Sequence, residues 1–333
     1  MDAALIILAV IVGILALTFL IGGYVMFRNA IAKDKSGKKQ AYYWEDGGEE
    51  RGFFTEMNPE KAEEAKACAR KIRESITETV YITSRDGLKL CGRIIDNPAG
   101  RGVVVMLHGY RSCALVDFSL SSDYFYNAGF SLLYVDQRAH GDSEGKYLTF
   151  GVKERYDAVD WAKYAEERFG GKPIIMCGVS MGAATVMMGA GVGYPASVRA
   201  ILADCGYTSP ADICKKCMKQ WYHLPPFPIY YGAQMWTKLL AGFDLEETDA
   251  RSSLAKLRGT GTKVLIVHGK ADDFVPYRMS EENMKAFDYM PESARREVVE
   301  FLSVEGADHA QSFVVAGEEY LAAVDRLIAR AGL

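Results

Sequence analysis

A serine between two glycines, Gly178-Val179-Ser180-Met181-Gly182, separates an apolar run from an alanine-rich helical one. This is G-x-S-x-G in strand–turn–helix context, where the glycines leave room for a sharp turn that presents the hydroxyl. A serine hydroxyl is a weak nucleophile near neutral pH, so it needs a base, and the base needs an orienting carboxylate. The histidines, at 108, 140, 223, 268 and 309, are few enough for a search by elimination. His108 and His268 each precede a glycine at a strand end, where a turn role is expected. His223 sits in an aromatic, proline-rich insertion, and His140 lies in a loop before the serine. His309 follows the last strand-like run, in Gly306-Ala307-Asp308-His309, and is the candidate base. Asp272, just after the penultimate run, completes the chain order Ser, Asp, His as the candidate acid. Asp273 is one residue off, Asp204 competes from an earlier strand end, and Asp308 reads as a surface or turn residue. Such a set does nucleophilic acyl transfer.

The elements that must position these residues alternate. Two leading strands, near 79–84 and 88–95, are joined by Arg85-Asp86-Gly87, a hairpin signal. Six further runs follow, beginning at Val103, Ser131, Ile174, Ala200, Val264 and Glu297, with helical stretches between them. Continuous apolar runs need cover on both faces, so the expected architecture is α/β, a mostly parallel eight-stranded sheet between helices. Ligands of such sheets bind beyond the carboxyl ends of the strands, where the serine, the aspartate and the histidine all fall. The stretch from Pro210 to about Ala250 is too long for an ordinary connection and reads as a small helical cap. Its Trp221, Tyr222, Leu224, Phe227, Ile229, Tyr230, Tyr231, Met235 and Trp236 could line an apolar acyl pocket or form the cap's own core.

Ahead of this domain, Ala3 to Phe27 carry no charge. At 1.5 Å per residue that run is about 37 Å long, enough to cross a ~30 Å hydrocarbon layer, so 3–27 is expected to be a transmembrane anchor. Arg28, Lys33, Lys35, Lys38 and Lys39 follow it and no basic residue precedes it, which assigns the C-terminal side to the cytoplasm. A cleaved signal would want a basic start, a shorter apolar core and a small-residue site. Residues 28–57 read as a juxtamembrane linker, a flexible tether holding the domain within about 30 Å of the bilayer. Its Tyr42, Tyr43, Trp44, Phe53 and Phe54 could rest at the interface or on the domain. Asn58-Pro59 opens an N-terminal helix within 58–78, ahead of the main domain at 79–333.

Composition narrows the function classes. Of 333 residues, 39 are Lys or Arg and 43 Asp or Glu, giving a net charge of -4 with no basic field for nucleic acid. The seven cysteines are an odd, scattered set that favours a reducing compartment over a disulfide framework. Cys214 and Cys217 form a C-x-x-C, but with no second pair or histidine cluster nearby to complete a zinc site.

Residues from about 79 to 333 resemble an α/β-hydrolase domain of the serine hydrolase superfamily. Beside the serine turn, Leu107-His108-Gly109-Tyr110 resembles the family's H-G-x turn, and Asp136-Gln137-Arg138-Ala139-His140-Gly141-Asp142-Ser143 its D-x-R-x-x-G-x-S loop. Gly269 to Pro276 matches the G-x-x-D-x-x-V-P segment around the acid. The resemblance implies that the backbone N–H groups of Tyr110 and Met181 form an oxyanion hole. It further implies that the D-x-R loop, with Asp136, Arg138 and His140, is mainly structural. Within the superfamily the chain is most similar to bacterial membrane-tethered esterase-like and prolyl-aminopeptidase-like hydrolases, and more distantly to eukaryotic depalmitoylating hydrolases. Expected partners are an acyl-group substrate, lipids and lipidated proteins included, and the membrane, with no metal or organic cofactor. Dehalogenases and many epoxide hydrolases of this fold use Asp at the serine position, so Ser180 argues against both. The rival readings are a non-catalytic binding module on the same fold and an acyltransferase using the same triad.

Overall fold

The computed structural model describes residues 2–33, 58–221, 223 and 225–333. Eight strands, β1 (Glu78–Thr83), β2 (Lys89–Ile95), β3 (Gly102–Leu107), β4 (Phe130–Val135), β5 (Ile174–Val179), β6 (Val198–Asp204), β7 (Lys263–Gly269) and β8 (Val299–Val304), form one sheet. Their order is β1-β2-β4-β3-β5-β6-β7-β8. β2 pairs antiparallel with both β1 and β4, and every later pairing is parallel. The strands from β3 to β7 are buried on both faces, and their alternation divides the core: Val103, Val105, Ile174, Met176, Val264 and Ile266 face one layer, Val104, Met106, Ile175, Cys177, Leu265 and Val267 the other.

The helices of eight residues or more among the described residues are α1 (Ala3–Ala30), α2 (Pro59–Glu74), α3 (Glu154–Arg168), α4 (Met181–Val192), α5 (Pro210–Trp221), α6 (Ile229–Trp236) and α7 (Gly317–Ala331). Asn58 caps α2, its side chain accepting the Glu60 N–H, with Pro59 at the first helical position. The cap consists of α5, α6 and a π-helical turn at Thr237–Ala241. Its aromatic residues divide: Tyr230 is buried in the main core, while Phe227 and Tyr231 are exposed. The side chains of Trp221, Tyr222 and Leu224 lie outside the described residues.

α1 is long and apolar enough to cross a membrane, and every residue from Ala3 to Leu17 is exposed. Its second half departs from a free tether. Phe27 and Ile31 are buried in the main core, Lys33 N–H donates to Lys146 O, Leu148 N–H donates to Ile31 O, and Ala32 forms a bridge with Tyr147. The linker assigned to 28–57 therefore does not begin at Arg28: two large apolar side chains draw the chain onto the domain as far as Lys33. The rest of that segment, with Tyr42, Tyr43, Trp44, Phe53 and Phe54, lies outside the described residues.

Candidate active site

The β5–α4 turn places Ser180 at φ 54° and ψ -114°, a conformation costly for a residue with a Cβ and held by its surroundings. The surroundings leave no slack. A Cβ on Gly178 would overlap the backbone of Gly182 and Ala183, and one on Gly182 would overlap the carbonyl of Leu107 at the end of β3. The first turn of α4 is thus pressed against the neighbouring strand, and Ser180 N–H donates to Asp204 O at 2.8 Å.

Three of the sequence candidates meet here. Ser180 Oγ lies 2.9 Å from His309 Nε2, and His309 Nδ1 lies 2.8 Å from Asp272 Oδ2. The loop after β7 holds Asp272, and its Oδ1 accepts the N–H groups of Phe274 at 2.9 Å and Val275 at 2.7 Å. Burial alone would raise the Asp272 carboxyl, but hydrogen bonds from His268 and His309 outweigh it and lower it to about 2. The carboxylate is therefore ionised at neutral pH and fixes the tautomer of His309, with the proton on Nδ1 and a lone pair on Nε2 toward the serine.

The competing acids stand elsewhere. Asp204 is fully buried at the end of β6, where burial pushes its carboxyl up to about 6, and Oδ1 has no hydrogen-bond partner among the described residues. Asp308 serves its own turn, its Oδ1 accepting the N–H of His309 at 2.7 Å and of Asp273 at 3.4 Å.

His268 was expected to be a turn residue, and the structure corrects that. Its ring is buried behind Asp272, with Nε2 2.8 Å from Val275 O and 3.2 Å from Asp272 Oδ2, and Nδ1 2.6 Å from Ser280 Oγ. Val275 O requires a donor, so Nε2 carries the proton and also favours the charged carboxylate. The signal was present as an i, i+4 spacing across the strand end. His108 also does more than turn the chain: its Nε2 accepts the Gln137 N–H at 3.1 Å, and its Nδ1 lies 2.7 Å from Gly109 O.

Tyr110 and Met181 lie on adjacent turns, because β3 and β5 are neighbours with Leu107 opposite Gly178. Met181 is the first residue of α4, so its N–H has no intrahelical acceptor. The loop carrying Tyr110 is braced from several directions. Asp117 Oδ2 accepts the Gly109 N–H at 2.6 Å, and its Oδ1 accepts from Ser112 Oγ at 2.5 Å. His140 Nε2 accepts the Arg111 N–H at 3.1 Å while Nδ1 donates to Arg138 O at 3.0 Å. Burial holds His140 well below the usual imidazole range, so it stays neutral and keeps that acceptor. From the other side, Tyr110 Oη donates to Ala30 O at 2.8 Å and Arg111 Nη2 to Asn29 O at 2.5 Å, both carbonyls at the end of α1. Neither Asp117 nor these α1 carbonyls was singled out from sequence, since only folding brings them to the loop.

The cap reaches the same place. Lys216 on α5 donates to the carbonyls of Asp273 and Phe274, and the Phe274 ring lies 4.7 Å from His309. Cys214 and Cys217 on that helix are buried free thiols, as are Cys91, Cys113, Cys177 and Cys205, while Cys68 is a partly exposed one.

The fold is that of a solved esterase from Pyrococcus furiosus, Pf2001, with a TM-score of 0.60 over 78% of this chain and 93% of that one at 24% identity. Residues 98–225 match the family model for serine aminopeptidases of the S33 type. The chain has the α/β-hydrolase fold. Among curated proteins, the chain is 28% identical over 158 residues to the uncharacterised protein YqkD of Bacillus subtilis, covering 47% of this chain and 51% of YqkD. It is 30% identical over 136 residues to the thiohydrolase aneE of Aspergillus aculeatus, covering 40% of this chain and 42% of aneE. The matches thus span about half the length of these relatives.

Proposed function

We propose that the protein is a membrane-anchored serine hydrolase that cleaves an acyl ester, thioester or amide through an acyl-enzyme. The observation that carries this reading is the hydrogen-bonded chain from Ser180 through His309 to Asp272, at 2.9 and 2.8 Å, with the serine on a strained turn. Ser180 Oγ attacks the acyl carbonyl while its proton passes to His309 Nε2, and the imidazolium is stabilised by Asp272. The N–H groups of Tyr110 and Met181 hold the resulting oxyanion. Collapse expels the leaving group, which takes the proton from Nε2, and leaves Ser180 acylated. A water then gives its proton to His309, attacks the acyl carbon and frees the acid and the serine. The esterase likeness and the thiohydrolase relative support ester and thioester chemistry. Transfer of the acyl group to an alcohol instead of water would make the same site an acyltransferase.

A fluorophosphonate probe tests the reading directly, because it labels only a serine activated within an oxyanion hole. Full-length protein is expected to be labelled at Ser180, and esters of graded chain length then define the acyl preference. Absence of labelling in folded protein would make the domain a non-catalytic binding module.

We further propose that α1 is a retained single-pass anchor and that the hydrolase domain faces the cytoplasm. Phe27 and Ile31 support retention, since cleavage in this region would remove part of the core. The basic residues after the span support the orientation. Reporters fused after Leu333, one active only in the cytoplasm and one only outside it, should give signal from the first. Signal from the second would reverse the topology.

A further inference from the structure

We infer that the outer face of the cap, formed by Phe227, Tyr231, Leu239 and Leu240, is a membrane-contacting surface covered by the same lipid leaflet that α1 enters. The inference rests on the reading of α1 as a membrane span and adds a second lipid contact to it.

The first step is the height at which the cap meets α1. Twenty residues of helix from Ala3 span about 30 Å, the thickness of the hydrocarbon layer, so the chain reaches the interface near Gly22. α6 crosses α1 there. The two backbones touch at Gly23 and Gly232: a Cβ on Gly23 would overlap the Gly232 backbone, and one on Gly232 would overlap the carbonyl of Phe19. Trp236 Nε1 donates to Leu20 O at 2.9 Å, and the Trp236 ring meets Tyr24 edge-on at 5.4 Å. Ile229 lies beside Gly22. Glycines in backbone contact are the means by which helices approach closely in membranes, and Trp and Tyr are the residues that collect at the interface.

The second step is what flanks that crossing. Phe227 and Tyr231 lie toward the start of α6, and Leu239 and Leu240 follow its end, with exposures of 58%, 49%, 66% and 46%. All four are within two helical turns of a residue that touches α1 between Phe19 and Tyr24. Four large apolar side chains exposed beside a span at interface height enlarge the apolar surface that lipid can cover. Arg28 is exposed one turn past the crossing, and Lys238, in the turn itself, pairs with Asp244 at 2.7 Å, so the margin of this apolar surface is charged. Tyr110 and Arg111 bond to the carbonyls of Ala30 and Asn29, about two helical turns past that level, which ties the loop of the proposed oxyanion hole to the same helix.

The test uses full-length protein in phosphatidylcholine vesicles that carry a diazirine on the acyl chain, with adducts located by peptide mass spectrometry. Adducts are expected within 3–22 and also within 227–240, with none at Tyr81 or Tyr289, which are exposed elsewhere on the domain. The double variant Leu239→Glu/Leu240→Glu should lose about tenfold of the cap adducts and keep those of α1, since charges at these positions favour water over lipid. Adducts in 3–22 with a clean cap would overturn the inference while leaving the anchor intact. No adducts in either segment would overturn the anchor and the inference together. A clean cap joined to a second cap by a bifunctional cross-linker would assign the face to another copy of the chain.

Discussion

Ser180→Ala and His309→Ala are each expected to lower turnover by on the order of 10⁶, and Asp272→Asn by about 10⁴, if the three residues work as in other serine triads. The asymmetry follows from the geometry. In the proposed mechanism Ser180 is the acyl acceptor, and His309 Nε2 is the base hydrogen-bonded to Ser180 Oγ among the described residues. Asparagine at 272 keeps the shape but offers an amide N–H where His309 Nδ1–H needs an acceptor, which favours the wrong tautomer. Double variants should be far from additive, because losing one member already disables the unit. Asp204→Asn is the control: its side chain bonds neither His309 nor Ser180, so turnover should stay within a few-fold of wild type. Its stability should change with pH instead. A carboxyl raised to about 6 by burial favours the folded state most below its unfolded value of about 4 and loses that contribution as pH rises through 6, a slope that asparagine removes. Initial rates on a short-chain ester and thermal melts between pH 4 and 8 measure both. A crippled Asp204→Asn beside a mild Asp272→Asn would move the acid to Asp204.

Much of this was legible in the sequence because it is written in local signals. Glycines around Ser180 announce a turn with no room for side chains, and apolar runs such as Val103–Leu107 announce doubly covered strands. The order of Ser180, Asp272 and His309 along the chain placed all three at strand ends, which the parallel sheet then gathers on one edge. What escaped notice depends on contacts through space. His268 looks like a turn residue until β7 is built and its ring falls behind Asp272. Asp117 is an unremarked acid until a short helix returns it to the Gly109 N–H. The docking of α1 is the plainest case, since Gly23 and Gly232 mean nothing separately and only their contact replaces a loose tether with a packed junction. The cap's aromatic cluster was likewise undecidable between core and pocket, and the structure sends Tyr230 inward, Trp236 onto α1, and Phe227 and Tyr231 outward.

Arg138→Met is expected to cost about 3–5 kcal/mol, because it strips a buried carboxylate of its partner. Arg138 Nε and Nη2 each donate to Asp157 at 2.6 Å, a bidentate pair with both side chains almost fully buried, and Nη1 reaches Asp86 at 2.9 Å. In a domain of this size the loss corresponds to a melting temperature lower by roughly 10 °C. Arg138→Met/Asp157→Leu should recover most of it, since removing both charges leaves no unpaired ion, and Asp86 is exposed enough to return to water. The consequence for chemistry is separate from stability. Arg138 O accepts from His140, His140 accepts the Arg111 N–H, and Arg111 adjoins the Tyr110 amide assigned to the oxyanion. Displacing that loop weakens transition-state binding more than substrate binding, so kcat should fall about tenfold with KM little changed. Arg138 would then be a positioning residue, and the double variant, stable again but with His140 still less well held, should recover its melting temperature more fully than its kcat. Wild-type stability in Arg138→Met would remove this loop from the support of the site. Recovery of kcat in step with stability would reduce the role of Arg138 to folding alone.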